Sequence, residues 1–170
     1  MILIGIGSNL AAPPFGSPQD TVSAAMAQLP AIGALVLLRS RWYLSQPVPP
    51  SDQPWYVNGV AAVETRLAPA ALLTALLAIE ARFGRRRSAP NAARTLDLDL
   101  LDYDGHQCER ARLTLPHPRL HERRFVLAPL AEIAPHWRHA RLALSASELL
   151  ARLPPGHPVC PLGERATPHG

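Results

Sequence analysis

Arg94-Thr95-Leu96-Asp97-Leu98-Asp99-Leu100-Leu101 decides how the rest of the chain is read. Apolar and acidic residues alternate in it with period two, the pattern of a strand with one face against a core. Leu96, Leu98 and Leu100 then point to one side, and Asp97 and Asp99 to the other. Residues two apart on a strand stand roughly 6.5–7 Å apart, so the carboxylates repel unless positive charge lies between or beside them. A sheet with one wet face explains alternation as such. It does not explain aspartate, which strands disfavour, above all in a like-charged row. Threonine or serine would wet that face at less cost. Paired carboxylates at this spacing suit magnesium, which takes one or two of them together with waters and substrate phosphates. Arg94 and the run Arg85-Arg86-Arg87 lie beside the acids in sequence, and acids with arginines are what a magnesium–polyphosphate substrate requires.

Upstream, Pro69 to Phe83 carries Leu72, Leu73, Leu76, Leu77, Ile79 and Phe83 at helical spacing, with a first-turn proline and Gly84 as a stop. Glu80 falls on the edge of that stripe, where a charged residue is ordinarily a solvated border position. Trp55 to Thr65 reads as a strand, one ring of Trp55-Tyr56 going to the core and the other away. Ile32 to Leu44 reads as a second strand and Met1 to Gly7 as a buried one. Gly5-x-Gly7 is not a dinucleotide loop, because Leu10 takes the place of the third glycine. Gln19 to Leu29 is a helix opened by Ser17-Pro18. Polar or proline-rich loops separate these elements at 11–18, 46–54 and 84–93.

Downstream, Asp104-Gly105 signals a hairpin turn. Arg112 to Leu115 is a short strand, Leu120 to Ile133 a helix interrupted by Pro129, Trp137 to Leu144 a late strand, and Ala146 to Leu153 a helix opened by Ser145. The order β-α-β-β-α-β predicts an α+β ferredoxin-like sandwich: an antiparallel sheet with helices on one side, Asp97 and Asp99 facing away from them, and C-terminal additions. One domain over 1–153 is expected, with 154–170 a loosely held tail rich in proline and glycine.

The 170 residues are 48% hydrophobic, enough to fill one core. No charged leader and no apolar run near 18 residues is visible, so a cytoplasmic protein without membrane contact is expected. Cys108 and Cys160 lack CxxC spacing and read as reduced thiols. The net charge of +4 comes from 17 basic residues, all arginine. Such a charge fits a phosphate-bearing ligand, and it fits nucleic acid as well. An RNA-binding sheet of this fold needs an aromatic string on a central strand. Aromatics are only 5% here and acids occupy that face, so RNA binding ranks below phosphate transfer; an acylphosphatase-like hydrolase is the other alternative. His117 and His121 cannot share a helical metal site with Pro116 and Pro118 flanking the first, and Phe125 stands where an HExxH string from His121 needs its second histidine. Arg123-Arg124-Phe125, taken alone, reads as a helix start with two solvated arginines and a core ring.

Five stretches in unbroken order resemble one family: Ile6-Gly7-Ser8-Asn9-Leu10, Asp52-Gln53-Pro54-Trp55-Tyr56-Val57-Asn58, Arg94 to Asp99, Leu115-Pro116-His117-Pro118-Arg119, and Phe125-Val126-Leu127-Ala128-Pro129-Leu130. The family is 6-hydroxymethyl-7,8-dihydropterin pyrophosphokinase, of folate synthesis. The resemblance implies transfer of pyrophosphate from ATP to the pterin's hydroxymethyl oxygen, with two Mg2+ held by Asp97 and Asp99. It implies Arg85, Arg94, Asp97 and Asp99 as catalytic residues. Tyr56 and Phe125 would sandwich the pterin, with Asn58 on its polar edge and Ser45, Val48 and Asp97 around it. Glu80, Arg87, Arg94, Leu100 (by its backbone), Arg112, Thr114, His117 and Arg123 would lie on the ATP side. The loops at 11–18, 46–54 and 84–93 would close over both substrates and exclude water. Small-molecule substrates, no nucleic acid and a monomer are the expected partners and state. The sequence departs from the family at Pro90-Asn91-Ala92-Ala93, which lacks a tryptophan and a Gly-Pro, and at Leu77, Pro118 and Arg124, the last in place of a small glycine.

Overall fold

β1 (Ile2–Ser8) is buried along its whole length and runs through the middle of a sheet whose two faces are both covered. The structure is a computed structural model and describes residues 1–85 and 92–163. After β1 come α1 (Pro18–Gln28), β2 (Ala34–Arg39), β3 (Tyr43–Ser45), β4 (Tyr56–Thr65), α2 (Pro69–Arg82) and β5 (Asp97–Tyr103). Then follow β6 (Cys108–Arg110), β7 (Leu113–Leu115), α3 (Arg124–Ile133), α4 (Ala146–Arg152) and β8 (Val159–Pro161). The main sheet has the order β5-β1-β4-β3-β8, with β2 also on β4 and every pairing antiparallel. With β2 and β3 taken as one interrupted strand, this is the β-α-β-β-α-β sandwich that the element order predicts.

The interruption replaces the continuous strand expected from Ile32 to Leu44. At the break, the Val60 amide donates to Ser40 Oγ at 3.0 Å, so a side chain takes over a ladder bond. Trp42 lies across Gly59, where a Cβ would stand 2.6 Å from the indole. A strand with a side chain there could not accept the ring.

One face packs Ile2, Ile4, Ile6, Leu96, Leu98 and Leu100 against α1 and α2. A capping box between Ser17 and Asp20, with Pro18 in the first turn, opens α1 as its sequence predicts. The Phe15 ring stacks on Phe83 at 3.9 Å and pins the first loop to the end of α2.

The second face is not bare, as a sandwich with helices on one side would leave it. Leu3, Val60, Ala62 and Leu101 are apolar there, and Val126, Leu127, Leu130 and Leu149 of α3 and α4 cover them. Pro129 is buried inside α3 without ending it. A register shift pairs Ile4 with Leu100 but Leu3 with Asp102. Beyond it, towards the C-terminal end of β1, Asp99 and Asp97 stand opposite Gly5 and Gly7.

Three other expectations are corrected. Asp104 and Gly105 make the predicted turn, both at positive φ (50° and 70°), but the next strand pairs with β7 and not back onto β5. Trp137 to Leu144 is no strand beyond a single bridge from Arg138 to Ser145; the Trp137 indole instead donates to Asp102 at 3.1 Å. The tail, expected to be loose, adds β8 to the sheet edge at β3. Among the described residues, no helix is long and apolar enough to cross a membrane.

Candidate active site

β5 presents Asp97 and Asp99 on one face because Leu96, Leu98 and Leu100 are committed to the core on the other. Asp97 is fully answered by cations: Arg85 Nη1 donates to Oδ1 at 2.5 Å and Arg94 Nη1 to Oδ2 at 2.9 Å. Asp99 is not. Among the described residues its nearest basic partners are Arg123 Nη1 at 3.5 Å and the imidazole of His117, whose Nε2 is at 3.9 Å. Burial and the neighbouring Asp97 charge push the Asp99 carboxyl up to about 6. The His117 amide donates to Leu101 O at 2.8 Å, which sets that histidine beside β5. Burial and the Arg123 charge push its imidazole down to about 4, so at neutral pH it is an uncharged neighbour of Asp99.

Glu80 corrects the expectation of a solvated border position. It is 4% exposed, accepts the Leu98 amide at 2.7 Å and pairs with Arg85. Burial pushes its carboxyl up to about 7, outweighing that hydrogen bond and the Arg85 charge. Arg85 thus bridges α2 to the acid strand.

Beside Asp97 opens a cavity of about 160 Å³, lined in part by Ser45, Val48, Tyr56, Asn58, Arg94 and Phe125. Asn58 donates to Ser45 Oγ at 2.7 Å, and its Oδ1 lies 2.8 Å from where a Gly7 Cβ would be. Glycine at position 7 is therefore what lets the amide lie over β1. The Tyr56 hydroxyl donates to Ala92 O at 3.3 Å. Arg123 is half-buried, 5.6 Å from the Phe125 ring centroid, and so is not the solvated arginine expected at a helix start, whereas Phe125 packs partly buried against the core of the second face. Trp55 is exposed and does not enter the core.

The sequence quotes Asn9 without giving it a role. Buried at 1% exposure, it accepts the Arg94 amide at 2.9 Å and donates to Gln53 Oε1 at 3.3 Å and Pro54 O at 3.1 Å. One side chain thus ties the turn after β1, the proline loop and the start of the acid strand together. Also unforeseen, Leu153, Pro154, Gly156, His157 and Val159 form part of the cavity wall. No periodicity or motif marks them.

Other predicted positions lie elsewhere. The Leu100 side chain is in the core. Arg112 is exposed on the turn between β6 and β7, and Thr114 is half-buried on β7; the cavity wall includes neither. Arg87 lies outside the described residues. Among the described residues, no third histidine, cysteine or carboxylate joins the acid pair as a potential metal ligand. The arrangement therefore offers two carboxylates, a set of arginines, and an adjoining pocket with two rings and an amide.

Residues 3–135 match the model of the family described as 7,8-dihydro-6-hydroxymethylpterin-pyrophosphokinase. The chain is 41% identical over 152 residues to 2-amino-4-hydroxy-6-hydroxymethyldihydropteridine pyrophosphokinase of Synechocystis, covering 89% of this chain and 75% of that one. To the protein of the same name from Pseudomonas aeruginosa it is 42% identical over 138 residues, covering 81% and 82%. In shape it resembles a crystal structure of HPPK-DHPS in complex with substrates (TM-score 0.66, 12% identity) and one of Plasmodium falciparum HPPK-DHPS (TM-score 0.69, 11% identity). It covers 88% of its own length and 42% of each of those longer chains, so this likeness speaks for the fold.

Proposed function

The chain belongs to the 7,8-dihydro-6-hydroxymethylpterin-pyrophosphokinase family, and we propose that its acid pair and the cavity beside it carry that family's reaction. As a member it is a pyrophosphokinase of folate synthesis, moving pyrophosphate from ATP to the hydroxymethyl group of 6-hydroxymethyl-7,8-dihydropterin. Membership displaces the RNA-binding and acylphosphatase-like alternatives. One observation supports the assignment of the pocket above others: Ser45, Val48, Tyr56, Asn58, Asp97 and Phe125 line a single cavity.

In this reading Tyr56 and Phe125 take the flat pterin between them; offset stacking of such rings is worth roughly 0.5–1.5 kcal/mol beyond the buried area. Asn58, held by Ser45, reads the polar edge. The hydroxymethyl arm then points to the Asp97 side, where ATP's phosphates meet Arg85, Arg94 and Arg123. The hydroxymethyl oxygen bonds to the β-phosphorus and gives up its proton to solvent, the bond from that phosphorus to the oxygen bridging it to the α-phosphorus breaks, and AMP leaves with that electron pair. The arginines neutralise charge as it builds on the phosphates.

Asp97 and Asp99 fit a pair of magnesium ions. Among the described residues Asp99 has no donor nearer than 3.5 Å, and burial beside Asp97 raises its carboxyl, so added divalent charge would favour its ionised form. Magnesium held by Asp97 and Asp99 would supply positive charge where the phosphates react and would make the attacking hydroxyl more acidic. Arg85 and Arg94 hold the Asp97 carboxylate in place. Glu80 in turn holds Arg85, and His117, uncharged, fills the space by Asp99 without competing for a cation.

The decisive assay is AMP formation from ATP with and without the hydroxymethyl pterin, each with and without magnesium. AMP is expected only when both are present. AMP formed equally without the pterin would refute the assignment of the cavity.

A further inference from the structure

Arg124 makes a contact that the transfer reaction does not require. It is the first residue of α3, where unpaired backbone N–H groups disfavour a cation, and Arg123 beside it adds like charge. Its guanidinium turns away from the helix instead: Nη2 donates to Leu153 O at 3.1 Å and to Pro154 O at 3.2 Å. Those carbonyls open the segment Leu153-Pro154-Pro155-Gly156-His157-Pro158, and Leu153, Pro154, Gly156 and His157 line the cavity.

The segment is stiff and held at both ends. Three prolines in six residues restrict it even in the unfolded chain. Gly156 bends it at φ 154°, a conformation side chains rarely adopt. Past the bend, β8 pairs with β3, Cys160 facing Leu44, and the Leu162 amide donates to Trp42 O at 2.7 Å. Arg124 secures the near end, the sheet edge the far one.

We propose that Arg124 is a positioning residue for the pterin. It clamps residues 153–158 as a wall of the cavity, so that the guest is enclosed on a side that α3, β3 and β4 leave open. The inference rests on the pterin reading of the cavity, and the test separates the two.

The test compares full-length wild type with Arg124→Ala and Arg124→Lys. Hydrogen exchange of the Cys160 and Leu162 amides, which face β3, is followed without ligand, and KM is measured for each substrate. In Arg124→Ala the amides exchange faster and the pterin KM rises about tenfold, the size expected from losing charge-assisted hydrogen bonds. The ATP KM stays within about twofold. Arg124→Lys, which keeps a charged donor on a stem of different length and shape, falls between. Unchanged exchange, an unchanged pterin KM, or an ATP KM rising as much as the pterin's would overturn the clamp. Wild-type protein that made no AMP would overturn the pterin reading instead, and exchange measured without ligand would still decide whether Arg124 holds the segment.

Discussion

The two aspartates of β5 differ in what surrounds them, and the difference fixes what their removal does. Asp97 is tied to Arg85 and Arg94; among the described residues Asp99 has only more distant partners. Asp97→Ala and Asp99→Ala should each lower kcat by at least about 100-fold, the scale of losing one electrostatic anchor in a buried site. Near-normal turnover in both variants would remove them from the reaction. Glu80 offers a test on stability. Burial raises its carboxyl from 4.5 to about 7 on folding. Between those values the folded chain holds a proton that the unfolded chain has released. Stability is therefore full below about pH 4.5 and declines as pH rises to 7, by up to roughly 3 kcal/mol at 1.36 kcal/mol per pKa unit. Glu80→Gln keeps the acceptor for Leu98 and cannot ionise. Between pH 5 and 8 the urea midpoint of wild type should fall relative to that of Glu80→Gln; parallel curves would show that Glu80 does not titrate there.

Among the elements, β1 and β5 form a shelf whose depth depends on glycine. Gly7→Ala places a methyl 2.8 Å from Asn58 Oδ1, and Asn58 must turn off Ser45. The pterin KM should rise about tenfold while the ATP KM moves little, the mark of losing one well-placed polar contact; equal changes in both would mean that the strand itself had shifted. The acid strand and α2 were legible because each repeats one period over several residues: Leu96, Leu98, Leu100 at two, and Leu72, Leu76, Ile79, Phe83 near 3.6. The break between β2 and β3 was not, since it depends on Trp42 meeting Gly59 from a distant strand. β8 was hidden for a similar reason. Its three residues include a proline, and its place is set by the free edge of β3. Glu80 misled because its burial comes from Leu98 and Arg85, partners lying outside its own helix. Several of the candidate site residues, Tyr56, Asn58, Arg94, Asp97, Asp99, His117 and Phe125, stood in short stretches resembling one family, whereas the cavity wall at 153–159 carries no pattern in the chain.

At the scale of the whole molecule, the covered second face makes one end of the sheet a site. α3 and α4 pack on Leu3, Val60, Ala62 and Leu101, and beyond them Gly7 and Asp97 border the cavity. Around it the charges are sorted. Arg85, Arg94 and Arg123 converge on the acid pair, Arg119 and Arg124 line the cavity nearby, and the whole chain carries +4. A neutral pterin in the proposed pocket would gain little from this field, while a polyanion would be drawn in by it. Salt shortens the reach of exposed charges to about 10 Å at 0.1 M and roughly 3 Å at 1 M. Raising ionic strength from about 0.05 to 0.5 M should thus raise the ATP KM several-fold and leave the pterin KM within about twofold. Steady-state kinetics at constant free magnesium, with each substrate varied at saturation of the other, measures both. If the two constants moved together, the arginines would not be sorting the substrates, and the anion and the heterocycle would have to share one binding surface.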